Sequence, residues 1–144
     1  MTHQDAGSYA AKRPPGETAD PKIADAVRAR AVENELPCGG AEKVAGDLRV
    51  EMASVGATLD ILGIRISRCQ LGLFGYEPAG RTVKAVPAVA PVLADAVRRA
   101  LVNDRLPCAS AWAIAQSLAI PRMDVANACE TLKIKVKPCQ LGAF

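Results

Sequence analysis

Four of the five cysteines fall in a repeated arrangement: Cys38 with Cys69 and, 70 positions further on, Cys108 with Cys139, the partners 31 residues apart in both cases. Three chemistries use such a pair. Two thiols can serve as small core residues, can join as a disulfide that responds to redox conditions, or can ligate a soft metal ion. The spacing argues against zinc, because structural zinc sites draw on hooks of about two to four residues. Four sulfurs would meet only if the two pairs came together. No metal or other cofactor is expected. Cys129 stands outside the arrangement, matches Leu59 at the same offset and is expected in the core.

The second chemical group is basic. Lys133, Lys135 and Lys137 alternate with Ile134 and Val136, and Arg122 and Asn127 precede them. These are side-chain types that hold phosphates and read base edges, although alternating lysines equally make the solvated face of a strand. Catalysis finds no foothold. The one histidine is His3, no carboxylate pair recurs with the repeat, and the chain has neither a phosphate-binding glycine loop nor a nucleophile motif. The protein is expected not to be an enzyme.

These residues sit in a duplicated frame. Residues 24–74 match residues 94–144 at a constant shift of 70 without a gap, with 20 of 51 positions identical. Ala24-Asp25-Ala26-Val27-Arg28 repeats as 94–98, Leu36-Pro37-Cys38 as 106–108, and Cys69-Gln70-Leu71-Gly72 followed by Phe74 as 139–142 followed by Phe144. Two units at so long a period indicate duplicated domains rather than a solenoid. The expected organisation is a flexible tail over 1–21, repeat 1 over 22–74, a proline- and alanine-rich linker over 75–91 and repeat 2 over 92–144. Pro78, Pro87 and Pro91 favour an extended connector.

Each copy reads as helix, short strand, helix, helix, strand. Leu93, Val97, Ala100 and Leu101 have helical spacing, matched by Ile23, Val27 and Ala31, and the Leu-Pro-Cys tripeptide that follows is extended. The second helix buries Ala111, Ile114, Ala115 and Leu118, or Ala41, Val44, Ala45 and Leu48, with Ser110 and Gly40 as expected N-caps. The third buries Val125, Ala128, Cys129 and Leu132, or Val55, Thr58, Leu59 and Leu62. Ile64-Arg65-Ile66-Ser67 and Ile134-Lys135-Val136-Lys137 alternate as half-buried strands.

The run from Ile114 to Ile120, followed by Val125 and Leu132, resembles a helix-turn-helix, and with its flanking strands it resembles the winged-helix family. The resemblance spans both copies. It implies an α+β, mostly helical fold of two tandem winged-helix-like units, each with three helices and a small antiparallel sheet. It also departs from the family pattern, with Ala119 and Arg49 in the turn where glycine is frequent and no chain after Phe144 for a second wing. In an antiparallel sheet Cys38 and Cys69, or Cys108 and Cys139, would face each other at Cα separations of about 4.5 to 5.5 Å, which a disulfide accepts.

The family commonly places the second helix of the motif in the major groove of duplex DNA. In repeat 2 that role falls to Arg122 and Asn127, with Lys133, Lys135 and Lys137 as phosphate contacts. Repeat 1 fits poorly, since its equivalent stretch 51–60 carries Glu51 and Asp60 and no basic residue. Residues 22–74 hold seven basic and seven acidic groups, residues 92–144 seven and four, so the net charge of +3 lies in repeat 2. Met52, Ala57 and Ile61 on the outer side of repeat 1's third helix, and Trp112 where repeat 1 has Glu42, mark expected contact surfaces.

Two functions follow as expectations. One is a DNA-binding regulator in which repeat 2 contacts double-stranded DNA and repeat 1 packs or dimerises. The other is a non-catalytic, thiol-sensitive interaction module with a protein partner and no nucleic acid. Aromatic residues at 3% leave no stacking platform for single strands. A homodimer is expected. No apolar run reaches membrane-span length and no signal-peptide core precedes Pro21, so a cytoplasmic protein without membrane contact is expected.

Overall fold

The computed structural model describes residues 17–144. The tail expected over 1–21 therefore lies mostly outside the described residues, as does His3. Among the described residues there are six helices and one two-stranded sheet: α1 (Pro21–Arg30), β1 (Glu35–Pro37), α2 (Cys38–Leu48), α3 (Met52–Leu62), β2 (Arg65–Ser67), α4 (Pro91–Arg99), α5 (Cys108–Leu118) and α6 (Arg122–Leu132). The fold is mixed α/β.

Local chemistry accounts for most boundaries. Asp20 caps α1 by accepting from the amides of Lys22 and Ile23 (2.8 and 3.4 Å), and Pro21 occupies a first-turn position where no amide is needed. The chain then reverses through Glu33-Asn34, both at positive φ, with Val32 and Glu35 exchanging backbone hydrogen bonds at 2.9 and 3.0 Å. Asn103-Asp104 repeats this turn between Val102 and Arg105. Two successive left-handed residues make a type I′ turn, for which Asn and Asp are favoured.

The second helices begin earlier than Gly40 and Ser110. Pro37 and Pro107 are the N-caps, at φ −60° in both cases, and Cys38 and Cys108 are the first helical residues. Proline's fixed φ carries the strand straight into the helix, so no capping side chain intervenes. At the other end Arg49 and Ala119 adopt the left-handed conformation, at φ 55° and 56°, and their amides donate back to the last turn. The turn thus has the shape that glycine would supply, imposed on residues with a Cβ.

The sheet corrects the winged-helix expectation: β1 and β2 run parallel, with Glu35 opposite Arg65, Leu36 opposite Ile66 and Pro37 opposite Ser67. Between them the chain makes a crossover through α2 and α3, the kind of long connection that returns a strand in its original direction. Repeat 2 pairs in the same sense through a single parallel bridge, Leu106 with Val136.

The chain divides into two compact units. Unit 1 takes the described residues up to Cys69 together with Gln140–Phe144, and unit 2 takes Gln70–Cys139. The closing Gln-Leu-Gly segment of each repeat therefore belongs to the unit built on the other repeat. In unit 1 the core gathers Val27, Leu36, Val44, Val55 and Leu59 with Leu141; in unit 2 it gathers Val97, Leu106, Val125 and Cys129 with Leu71. Both closing leucines are at most 2% exposed, and burying a leucine contributes about 1.5 to 3 kcal/mol. Ala31, Leu48, Leu62, Ala100, Leu101, Leu118 and Leu132, expected inside, are only half-buried.

Candidate nucleic-acid interface

Lys133, Lys135 and Lys137 are exposed, while Ile134 and Val136 between them are half-buried. Alternation along the extended segment about Val136 places Lys135 and Lys137 on one side. Lys133 caps α6 in the left-handed conformation at φ 57°, at the position where repeat 1 has Gly63. Leu106 donates to the Lys135 carbonyl (2.9 Å) and accepts from the Lys137 amide (2.8 Å), which sets Arg105 beside Lys135 in the parallel register.

The same register positions in repeat 1 are filled by Glu35 and Arg65, whose side chains form an ion pair at 3.5 Å. Repeat 2 replaces this opposite-charge pair with two cations. Arg105 is exposed as well, so Arg105, Lys135 and Lys137 are exposed cations around the Leu106 to Val136 bridge, with exposed Lys133 at the helix end before them. Like charges side by side on a sheet carry a small stability cost, which a bound anion would relieve. The nearness of Arg105 to Lys135 depends on strand direction, which residue order alone does not encode.

Arg122 and Asn127 are used differently. The Arg122 guanidinium lies 3.7 Å from the centroid of the Trp112 ring and donates to Gln70 Oε1 at 2.8 Å. Asn127 Oδ1 accepts from the Lys84 amide (3.0 Å), Thr131 Oγ1 accepts from the Val86 amide (2.7 Å), and Arg81 pairs with Glu130 (2.9 Å). Residues 81–86 of unit 2 are thereby laid along the outer side of α6. Both Arg122 and Asn127 are half-buried. Comparison with family models, with curated proteins and with solved structures finds no match.

The remaining predicted positions divide by unit. Trp112 is half-buried, with its Nε1 buried and without a hydrogen-bond partner. Met52, Ala57 and Ile61 are half-buried on α3, a helix whose Val55, Gly56, Thr58, Leu59 and Asp60 are buried. Asp60, one of the two acids of this stretch, is 3% exposed. All five cysteines are thiols: Cys38, Cys69, Cys108 and Cys129 are buried and Cys139 is half-buried. Burial pushes the Cys129 thiol up to about 11. Among the described residues no group of three or more His, Cys, Asp or Glu side chains gathers as a metal site, and no helix is long and apolar enough to cross a membrane.

Proposed function

We propose that this protein is a non-catalytic regulator that binds double-stranded DNA through unit 2, with Arg105, Lys133, Lys135 and Lys137 as contacts to the phosphate backbone. The observation that carries this reading is the Arg105 and Lys135 pair, which stands where repeat 1 has the Glu35 to Arg65 ion pair. Alternate residues of a strand lie about 6.6 Å apart, and each DNA strand offers one phosphate per about 3.4 Å of helix axis. Neighbouring lysines of the edge can then each meet a phosphate. In this reading Arg122 and Asn127 hold residues 70–86 in place and do not enter the groove. Repeat 1, whose α3 carries no basic residue, serves as the packing unit.

The test is fluorescence anisotropy with mixed duplex DNA across a salt series. Each phosphate contact contributes about 0.9 to the slope of log affinity against log salt, so Lys135→Ala/Lys137→Ala is expected to lower that slope by nearly 2. An absence of binding at low salt removes this reading.

A second reading, a protein-interaction module, draws on Val32 and Val102. These valines occupy the same position of the two type I′ turns and are 72% and 56% exposed. A partner with an apolar groove would bury either valine, and Val32→Ser or Val102→Ser would weaken its binding while leaving DNA affinity unchanged, since no charge is added beside Arg105.

A further inference from the structure

We propose that Cys108 and Cys139 form a peroxide-sensitive dithiol that closes to a disulfide while Cys38, Cys69 and Cys129 remain thiols. This inference is independent of DNA binding and rests on the course of the chain in unit 2. From the bridge of Leu106 with Val136, an unbroken parallel register would place Pro138 opposite Cys108. Instead the Cys108 amide donates to the Pro138 carbonyl at 3.0 Å, the bond that in a parallel ladder belongs to a residue facing the next position, Cys139. Cys108 opens α5, so the ladder ends there, and this bond sets its backbone beside the Pro138-Cys139 peptide. Adjacent strands lie about 4.8 Å apart, within the Cα separations of about 4.4 to 6.8 Å that a disulfide spans.

Access separates Cys139 from the other four sulfurs. Cys139 is half-buried, whereas Cys38, Cys69 and Cys129 are 7%, 4% and 1% exposed. Peroxide therefore meets Cys139 first. Cys108 is itself buried, as the first residue of α5. It has the character of a resolving thiol held beside a more accessible one.

The chemistry balances with hydrogen peroxide as the oxidant. The Cys139 sulfur attacks one peroxide oxygen, the O–O bond breaks, and the departing hydroxide takes the Cys139 proton to leave as water. A sulfenic acid remains on Cys139. The Cys108 sulfur then attacks Cys139 Sγ, forming the S–S bond and breaking the S–O bond, and hydroxide leaves with the Cys108 proton as a second water. Two electrons pass from the two sulfurs to peroxide.

The experiment treats the full-length native protein with hydrogen peroxide, then unfolds and alkylates it and maps the peptides by mass spectrometry. Reduced protein takes up five alkyl groups, one per cysteine. The expected result after peroxide is the loss of two of them and a single linked peptide pair containing Cys108 and Cys139, reversed by dithiothreitol. With Cys108→Ser, the Cys139 sulfenic acid is expected to persist and be captured by dimedone. Retention of all five alkylation sites overturns the proposal. So does a first bridge involving Cys38, Cys69 or Cys129, a bridge between chains, or sulfinic acid at Cys139 without a bridge. The map of the wild-type chain decides the matter even if the variant fails to fold.

Discussion

Gly56 of α3 lies against the backbone carbonyl of Leu141 so closely that a Cβ at position 56 would overlap it. Both residues belong to unit 1, although they come from different repeats. At the equivalent position repeat 2 has Ala126, also buried. In an exposed helix Gly→Ala gains about 1 kcal/mol from helix propensity. At position 56 the sign is expected to reverse: Gly56→Ala must move either the helix or the closing segment, at a cost of about 1 to 3 kcal/mol. Urea unfolding measures this directly, and a stabilised variant would show that Leu141 does not hold its place on α3.

Restoring the charge pattern of repeat 1 separates stability from binding. Arg105→Glu is expected to pair with Lys135 as Glu35 does with Arg65. An exposed pair of this kind contributes about 0.2 to 1 kcal/mol, so the melting temperature should hold or rise slightly. DNA affinity should fall more than for Arg105→Ala, since a repulsive charge is added as well as an attractive one removed. Equal affinity for the two variants would remove Arg105 from the interface.

The single tryptophan reports on the cover of α6. Arg122→Ala removes the cation from the Trp112 face and the bond to Gln70. Together these contribute about 1 to 3 kcal/mol, and the Trp112 emission is expected to shift to the red as the ring becomes wetter. Asn127→Ala should cost about 1 kcal/mol through the Lys84 amide, with the slope of DNA binding against salt unchanged. A changed slope would place Asn127 at the nucleic acid.

Cys129 should make stability fall at alkaline pH. Its thiol is pushed up to about 11 by burial, from 9.0 for a solvated thiol. Below pH 9 both folded and unfolded chains keep this proton, and there is no difference. As pH rises from 9 towards 11 the unfolded chain loses the proton and the folded chain retains it, so this contribution is lost. Cys129→Leu, which copies the fully buried Leu59, is expected to lose less stability over that interval. Denaturant midpoints of the two proteins between pH 8 and 11 provide the comparison, and parallel curves would contradict the assignment.

Apolar spacing located all six helices to within a few residues, since an amphipathic stripe needs only local sequence to be recognised. Errors clustered where several conformations share one residue pattern. Gly40 and Ser110 have capping chemistry, but Pro37 and Pro107 start the helices sooner. Asn103-Asp104 carries the residue types of a type I′ turn, and Glu33-Asn34 carries a weaker form of the same signal. The lysine edge was visible as alternation, whereas the cationic neighbour at Arg105 was not.

The duplication, the pairing of equivalent cysteines and the concentration of positive charge in the second repeat were all determined by the sequence, because each is a property of residue order alone. Strand direction was decided by the tertiary structure: alternation with a period of two tells which side chains share a face and is blind to whether the neighbouring strand runs parallel. The same is true of the closing segments. Leu71 and Leu141 are apolar enough to be buried in any core of the right shape, and only packing chose unit 2 for the first and unit 1 for the second. Hydrophobic burial is non-directional, so it demands that these leucines leave water without naming the core that receives them.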